Sequence, residues 1–120
     1  GDLKASNIFM YDEPVIFDCI EFNDSYRQID VLNDIAFLCV DLDYHSSQLG
    51  ELFYQSYSRA FGAGTSEDSR RRWMYYKSYR ANVRAKIAAI KIKETDQDPS
   101  DAQTVQRYID LMQEYTECLS

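Results

Sequence analysis

The sequence predicts an α+β fold dominated by helix: a short antiparallel β-hairpin followed by four helices. Three observations predict it. Two short β-prone runs, residues 7–11 and 15–18, flank the turn Asp12-Glu13-Pro14. From residue 29 onward, apolar side chains recur three and four apart almost to the end of the chain. The chain has 120 residues and is 45% hydrophobic, which suits one domain around one core and is too apolar for disorder. Residues 1–28 then hold a loop, the hairpin and a second loop, and residues 29–120 form a helical part.

The elements follow in order. Cys19 to Gln28 has no clean period and reads as a loop turning at Asn23-Asp24-Ser25. The first helix runs from about Asp30, its cap, to about Asp43, and it is apolar nearly all round, as a buried helix is. Asp34 lies inside it and needs a partner there. His45, the single histidine, reads as a cap residue at the end of this helix. Ser46 or Ser47 caps the second helix, whose apolar face is Leu49, Leu52, Phe53, Ser56, Tyr57, Ala60 and Phe61, and Gly62-Ala63-Gly64 stops it. Thr65 or Ser66 opens the longest helix, which extends to about Lys93. Its apolar face reads as Trp73, Tyr76, Arg80, Val83, Ile87 and Ile90. Arg80 interrupts that face and requires acceptors, for which Asp30, Asp34 and Glu21 are the candidates. Asp98 and Pro99 start the last helix, with Val105, Tyr108, Ile109, Met112, Tyr115 and Cys118-Leu119 on its inner side.

Twenty acids against 13 bases give a net charge of −7, which argues against nucleic acid as a partner and reads first as a solvated acidic surface, with a cationic substrate as the alternative it suits. Arg70-Arg71-Arg72 therefore reads as a solvated, locally paired helix face. Cys19, Cys39 and Cys118 form no motif and read as reduced, buried thiols of a cytoplasmic protein. No apolar run is long enough to span a bilayer, so no membrane partner is expected.

Chemistry concentrates at the start. A tight hairpin brings its ends together, so Asn7 and Asp18 become neighbours, and Asp2 on the preceding loop reaches the same point. Two carboxylates and an amide oxygen make a hard-oxygen site suited to Mg2+. Phosphoryl transfer needs such a set. One carboxylate, Asp2, orients the attacking hydroxyl and takes its proton, while Asn7 and Asp18 hold metal. Glu21, on the loop beyond Asp18, reads as a surface glutamate or, if the loop borders the site, as a residue that helps place a substrate or a second metal.

The string Asp2-Leu3-Lys4-x-x-Asn7 matches the catalytic loop of protein kinases. The longer pattern of Gly1-Asp2-Leu3, Asn7-Ile8-Phe9, residues 14–22 and residues 29–38 resembles the aminoglycoside-phosphotransferase-like kinases. It is most similar to the kinase-like part of bifunctional aminoglycoside phosphotransferase/ATP-binding proteins, and it continues more weakly through residues 79–86. The resemblance implies the helical part of a kinase large lobe, an ATP- and Mg2+-dependent phosphotransferase acting on a small-molecule hydroxyl, with Asp2 as base and Asn7 and Asp18 as metal ligands. It implies that Lys4 touches the transferred phosphate and that Asp34 bonds the backbone of the catalytic loop. The chain departs from the family where Lys4 replaces a frequent His, and it contains no nucleotide-binding lobe. The expectation is therefore a carboxyl-terminal fragment, inactive alone, that needs the missing lobe of the same parent chain. Its uncovered hairpin and first helix are expected to drive self-association. The alternative is a non-catalytic helical interaction module that retains the motif.

Overall fold

The computed structural model describes residues 1–94 and 99–120. The fold is mostly helical, with a short antiparallel hairpin followed by several helices. A 3-10 turn, Ala5–Asn7, leads into β1, Ile8–Met10, which pairs with β2, Pro14–Ile16, in the register Ile8 to Ile16, Phe9 to Val15 and Met10 to Pro14. Both strands are shorter than the sequence runs suggest. Asn7 belongs to the turn rather than to β1.

The stretch expected as a loop contains a one-turn helix, α1, Asp24–Arg27. Asn23 caps it by accepting the Ser25 N–H at 2.9 Å, a local hydrogen bond that needs no hydrophobic period. The four expected helices follow as α2, Val31–His45; α3, Leu49–Phe61; α4, Glu67–Glu94; and α5, Pro99–Glu117. Asp30 caps α2 through the Leu32 N–H at 2.9 Å, as its position predicts. Ser66 accepts the Ser69 N–H at 3.1 Å and opens α4. Gly62, at φ 60°, ends α3 in the left-handed region that costs glycine nothing. Neither Ser46 nor Ser47 caps α3: Ser46 closes α2, and Gln48 precedes α3 without a side-chain bond. The expected cap Asp98 lies outside the described residues.

Helix α2 is the centre of the molecule. Leu32, Ile35, Ala36, Phe37, Leu38, Cys39 and Val40 are all buried. Leu32, Ile35, Ala36 and Cys39 pack with Tyr54 of α3 and Trp73 of α4, whose rings stack at 4.0 Å. Val40 packs with Ala81 of α4 and with Leu111 and Tyr115 of α5. The apolar all-round reading of α2 therefore holds, but the helix is covered and is no sticky surface.

Two faces differ from expectation. In α3 the buried residues are Gly50, Tyr54 and Ser58, while Leu52 and Phe61 are 60% and 70% exposed. In α4 they are Trp73, Lys77, Ala81 and Ala85, while Ile87 and Ile90 face outward. Small residues explain both. Gly50 lets α3 approach α2 so closely that a Cβ there would lie 2.5 Å from Asp43 Oδ1, and Ala81 and Ala85 let α4 lie close to its neighbours. Hydropathy ranks large side chains, whereas close helix contact selects small ones.

Lys77 is buried because it has a built partner. Its ammonium lies 2.7 Å from Asp43 Oδ2, and the two side chains are 5% and 2% exposed. Tyr115 donates to the same oxygen at 2.7 Å, and Gly50 N–H donates to Oδ1 at 2.8 Å. The ammonium also lies 4.4 Å from the Trp73 ring centre and 3.9 Å from that of Tyr115. Burial first, then the neighbouring Asp43 charge, pushes the Tyr115 hydroxyl far above its usual pKa, so it remains a donor.

Candidate functional site

The loop from Gly1 to Asn7 is folded onto α2 by two carboxylates of that helix. Asp34 accepts the Leu3 N–H at 2.9 Å and the amino group of Gly1 at 3.4 Å. Asp41, seven residues on, accepts the Ala5 N–H at 2.8 Å. The expected partner of Asp34 is thus the loop backbone. Asp41 is 4% exposed and also receives both Nε (2.7 Å) and NH2 of Arg84 from α4.

Within the loop, Lys4 Nζ lies 2.7 Å from Asp2 Oδ2. The buried Asn7 side chain donates from Nδ2 to Asp2 O at 3.0 Å, to Asp2 Oδ2 at 3.3 Å and to Asp18 O at 3.4 Å. With its NH2 end so engaged, Asn7 keeps Oδ1 as a free acceptor end. The hairpin mouth is closed by Phe17 N–H donating to Asn7 O at 2.8 Å. Asp2, Lys4, Asn7 and Asp18 are therefore brought together. Asp18 joins through its main chain. Its own φ is 61°, the one non-glycine residue in the left-handed region among the described residues, and its carboxylate is left exposed. Left-handed backbone at an aspartate carries a modest steric cost. Asp18, Cys19, Glu21 and Phe22 line one open hollow of about 560 Å³. Glu21 accepts a weak bond from Cys19 Sγ at 3.9 Å and is exposed.

Arg80 does not reach its expected carboxylates. It donates from Nε to Asn33 Oδ1 at 2.7 Å and lies over the Phe37 ring at 4.5 Å, so a neutral amide and an aromatic face take the place of Asp30, Asp34 and Glu21. Burial lowers its pKa, with the charges of Tyr79, Asp34 and Asp2 acting in the other direction. Asp30 instead meets Tyr76 at 3.2 Å and Arg72 at 3.6 Å. Arg70 pairs across helices, with both its NH groups on Glu51 at 3.0 and 2.9 Å, rather than within its own helix. Of the cysteines, Cys39 is buried, but Cys19 and Cys118 are exposed, since each sits where the chain leaves packed structure. His45 is exposed and makes an edge contact with Tyr44.

The donor set tests the fit of a metal. No group of three or more His, Cys, Asp or Glu side chains is poised to enclose one among the described residues. Asp2 and Asn7 lie side by side, whereas Asp18 meets them through its main-chain oxygen, so an Mg2+ ion bound here would be held by one or two side-chain oxygens and several waters. Sequence reasoning missed Asp41, Arg84 and Asn33. The signal available was an acid one heptad beyond Asp34, across six intervening residues that are all apolar.

No protein-family model and no solved structure matches the chain. Among curated proteins, the uncharacterized protein Rv2004c of Mycobacterium tuberculosis is 39% identical over 96 residues, which cover 78% of this chain and 19% of the relative. The uncharacterized protein Mb2027c of Mycobacterium bovis matches to the same extent. The chain thus spans less than a fifth of the length of these relatives. Among the described residues no helix is long and apolar enough to cross a membrane.

Proposed function

We propose that this chain is the catalytic-loop and helical portion of a small-molecule kinase of the aminoglycoside-phosphotransferase-like type. The observation that carries the reading is the convergence of Asp2, Lys4, Asn7 and Asp18 at one hairpin mouth, on a loop tied to α2 by Asp34. Asp2 has one oxygen engaged by Lys4 and Asn7, which leaves Oδ1 to orient an acceptor hydroxyl and take its proton. Asn7 Oδ1 and the exposed Asp18 carboxylate would hold Mg2+, which neutralises phosphate oxygens of ATP when bound. Lys4 lies beside the base, where an ammonium can follow the charge of a transferred phosphate. The acidic balance of the chain suits a cationic acceptor. Nucleotide binding would fall to other parts of a longer protein, because half of the phosphate clamp has no counterpart in this sequence.

The test is phosphoryl transfer to a panel of alcohols by a longer protein that contains this chain. Asp2→Asn should keep the fold and lower the rate by about 10²- to 10⁴-fold, since the amide cannot accept the proton. Near-normal turnover in both Asp2→Asn and Asp18→Asn at saturating Mg2+ would remove the assignment. A second reading, an interaction module, is favoured by one observation: Phe9, Met10, Ile16, Phe17 and Phe22 are all at least half exposed on and beside the hairpin.

A further inference from the structure

We infer that Asp41 and Arg84 are positioning residues for the loop that carries Asp2 and Asn7. Only the catalytic meaning of this inference rests on the phosphotransfer reading. Asp41 is buried, and its two oxygens serve three donors: Oδ2 takes the Ala5 N–H and Arg84 NH2, and Oδ1 takes Arg84 Nε at 2.7 Å. The guanidinium fork fixes the plane of the carboxylate from α4, and the carboxylate fixes Ala5. Ala5 begins the 3-10 turn that ends at Asn7, and Asn7 N–H closes that turn on Lys4 O at 2.9 Å. The Asn7 amide in turn joins Asp2 to Asp18. A displacement at Asp41 is therefore relayed through Ala5 and the turn to Asn7, and from the Asn7 amide to Asp2 Oδ2 and Asp18 O, with no direct bond between Asp41 and either acid.

Helix packing alone does not account for the pair. The contact between α2 and α4 is already held by Leu32, Ile35, Ala36 and Cys39 against Trp73 and by Lys77 on Asp43. The Ala5 N–H belongs to neither helix, yet it takes one of the Asp41 oxygens. Asp34 makes the corresponding bond to Leu3 without any fork, so Leu3 is an internal control on the same helix.

The variants are Asp41→Asn and Arg84→Lys, studied in the 120-residue chain. The first keeps size but sets an NH2 against donors. The second keeps charge but loses the fork. Amide hydrogen exchange is read at Ala5, at Leu3 and within α2. Expected is exchange at Ala5 faster by about ten-fold or more in Asp41→Asn and by a smaller factor in Arg84→Lys, with α2 unchanged. Mn2+, titrated as the probe of the Asn7–Asp18 site and read by water-proton relaxation, should bind about three-fold or more weakly in Asp41→Asn. Unchanged exchange at Ala5 in both variants overturns the inference. Global unfolding of both overturns it too, because the pair would then hold helices rather than the loop. If Asp41→Asn alone unfolds, Arg84→Lys decides. Absence of Mn2+ binding in the unaltered chain would count against the metal site of the proposed function, and the exchange result would still settle the clamp.

Discussion

The hairpin and α2 solve opposite problems. The hairpin exposes most of its apolar side chains, among them Met10 at 76% and Ile16 at 63%, and its best internal contact is the edge-to-face pair Phe9–Phe17 at 5.2 Å. Helix α2 buries nearly everything, including two aspartates below 5% exposure. An isolated two-stranded hairpin is marginal in water. The loop beside it nevertheless makes defined bonds, and the α2 carboxylates of Asp34 and Asp41 accept those of Gly1, Leu3 and Ala5. The candidate site is thus built on a rigid helix and only displayed by a soft hairpin. Geometry is inherited from the buried element and access from the exposed one.

The strongest way to break this contrast is to damage the buried side. Lys77→Ala leaves Asp43 charged, buried and short of its cation, and removing one partner of a buried pair costs about 3–5 kcal/mol. Urea unfolding should show a loss of that size, a large share of a small domain's stability. A loss no larger than that of a surface lysine would mean that water reaches the pair. Gly50→Ala comes next. The added methyl meets Asp43 Oδ1 at 2.5 Å and must push α3 away from α2, for a cost of about 1–3 kcal/mol in the same measurement.

A pH series sharpens the comparison chemically. Burial pushes the Cys39 thiol up to about 12 from an ordinary 9.0. Its raised value means that the folded chain keeps this proton after the unfolded chain has lost it. The stabilisation is complete below pH 9.0 and is lost as pH rises towards about 12. Urea midpoints across that window should fall, less steeply in Cys39→Ala. Cys19 and Cys118, both exposed, should react with a thiol reagent in the folded chain, whereas Cys39 should react only on unfolding. The smallest stability effect belongs to the hairpin. Ile16→Thr should shift unfolding by under about 0.5 kcal/mol, because the side chain already faces water. The same substitution should lower any self-association seen by sedimentation, and an unchanged association would place the contact elsewhere.

These contrasts also explain what the sequence could disclose. The hairpin was legible because turn residues and β-prone runs are local signals, and its closure put Asn7 beside Asp18 as the spacing requires. Asp34 was legible because a carboxylate inside an apolar helix must have a partner. The inner faces of α3 and α4 were not, since Gly50, Ala81 and Lys77 are inner residues for reasons that depend on the neighbouring helix. Asp43 and Lys77 are 34 positions apart in the chain, and nothing local to either announces the other. The same holds for Asp41 and Arg84, and for Arg80, which settled on Asn33 instead of an acid.

The spacing of Asp34 and Asp41 makes α2 a ruler. Seven residues are two turns of helix, so both carboxylates leave the same side about 10.5 Å apart along the axis. They meet Leu3 and Ala5, two alternate amides of one stretch of chain. Substitutions between them change the filling of the core but not the measured length. One residue inserted there would turn the second mark about 100° away from the loop. Within this interval the core fixes the size of each side chain, and the loop fixes the count of residues.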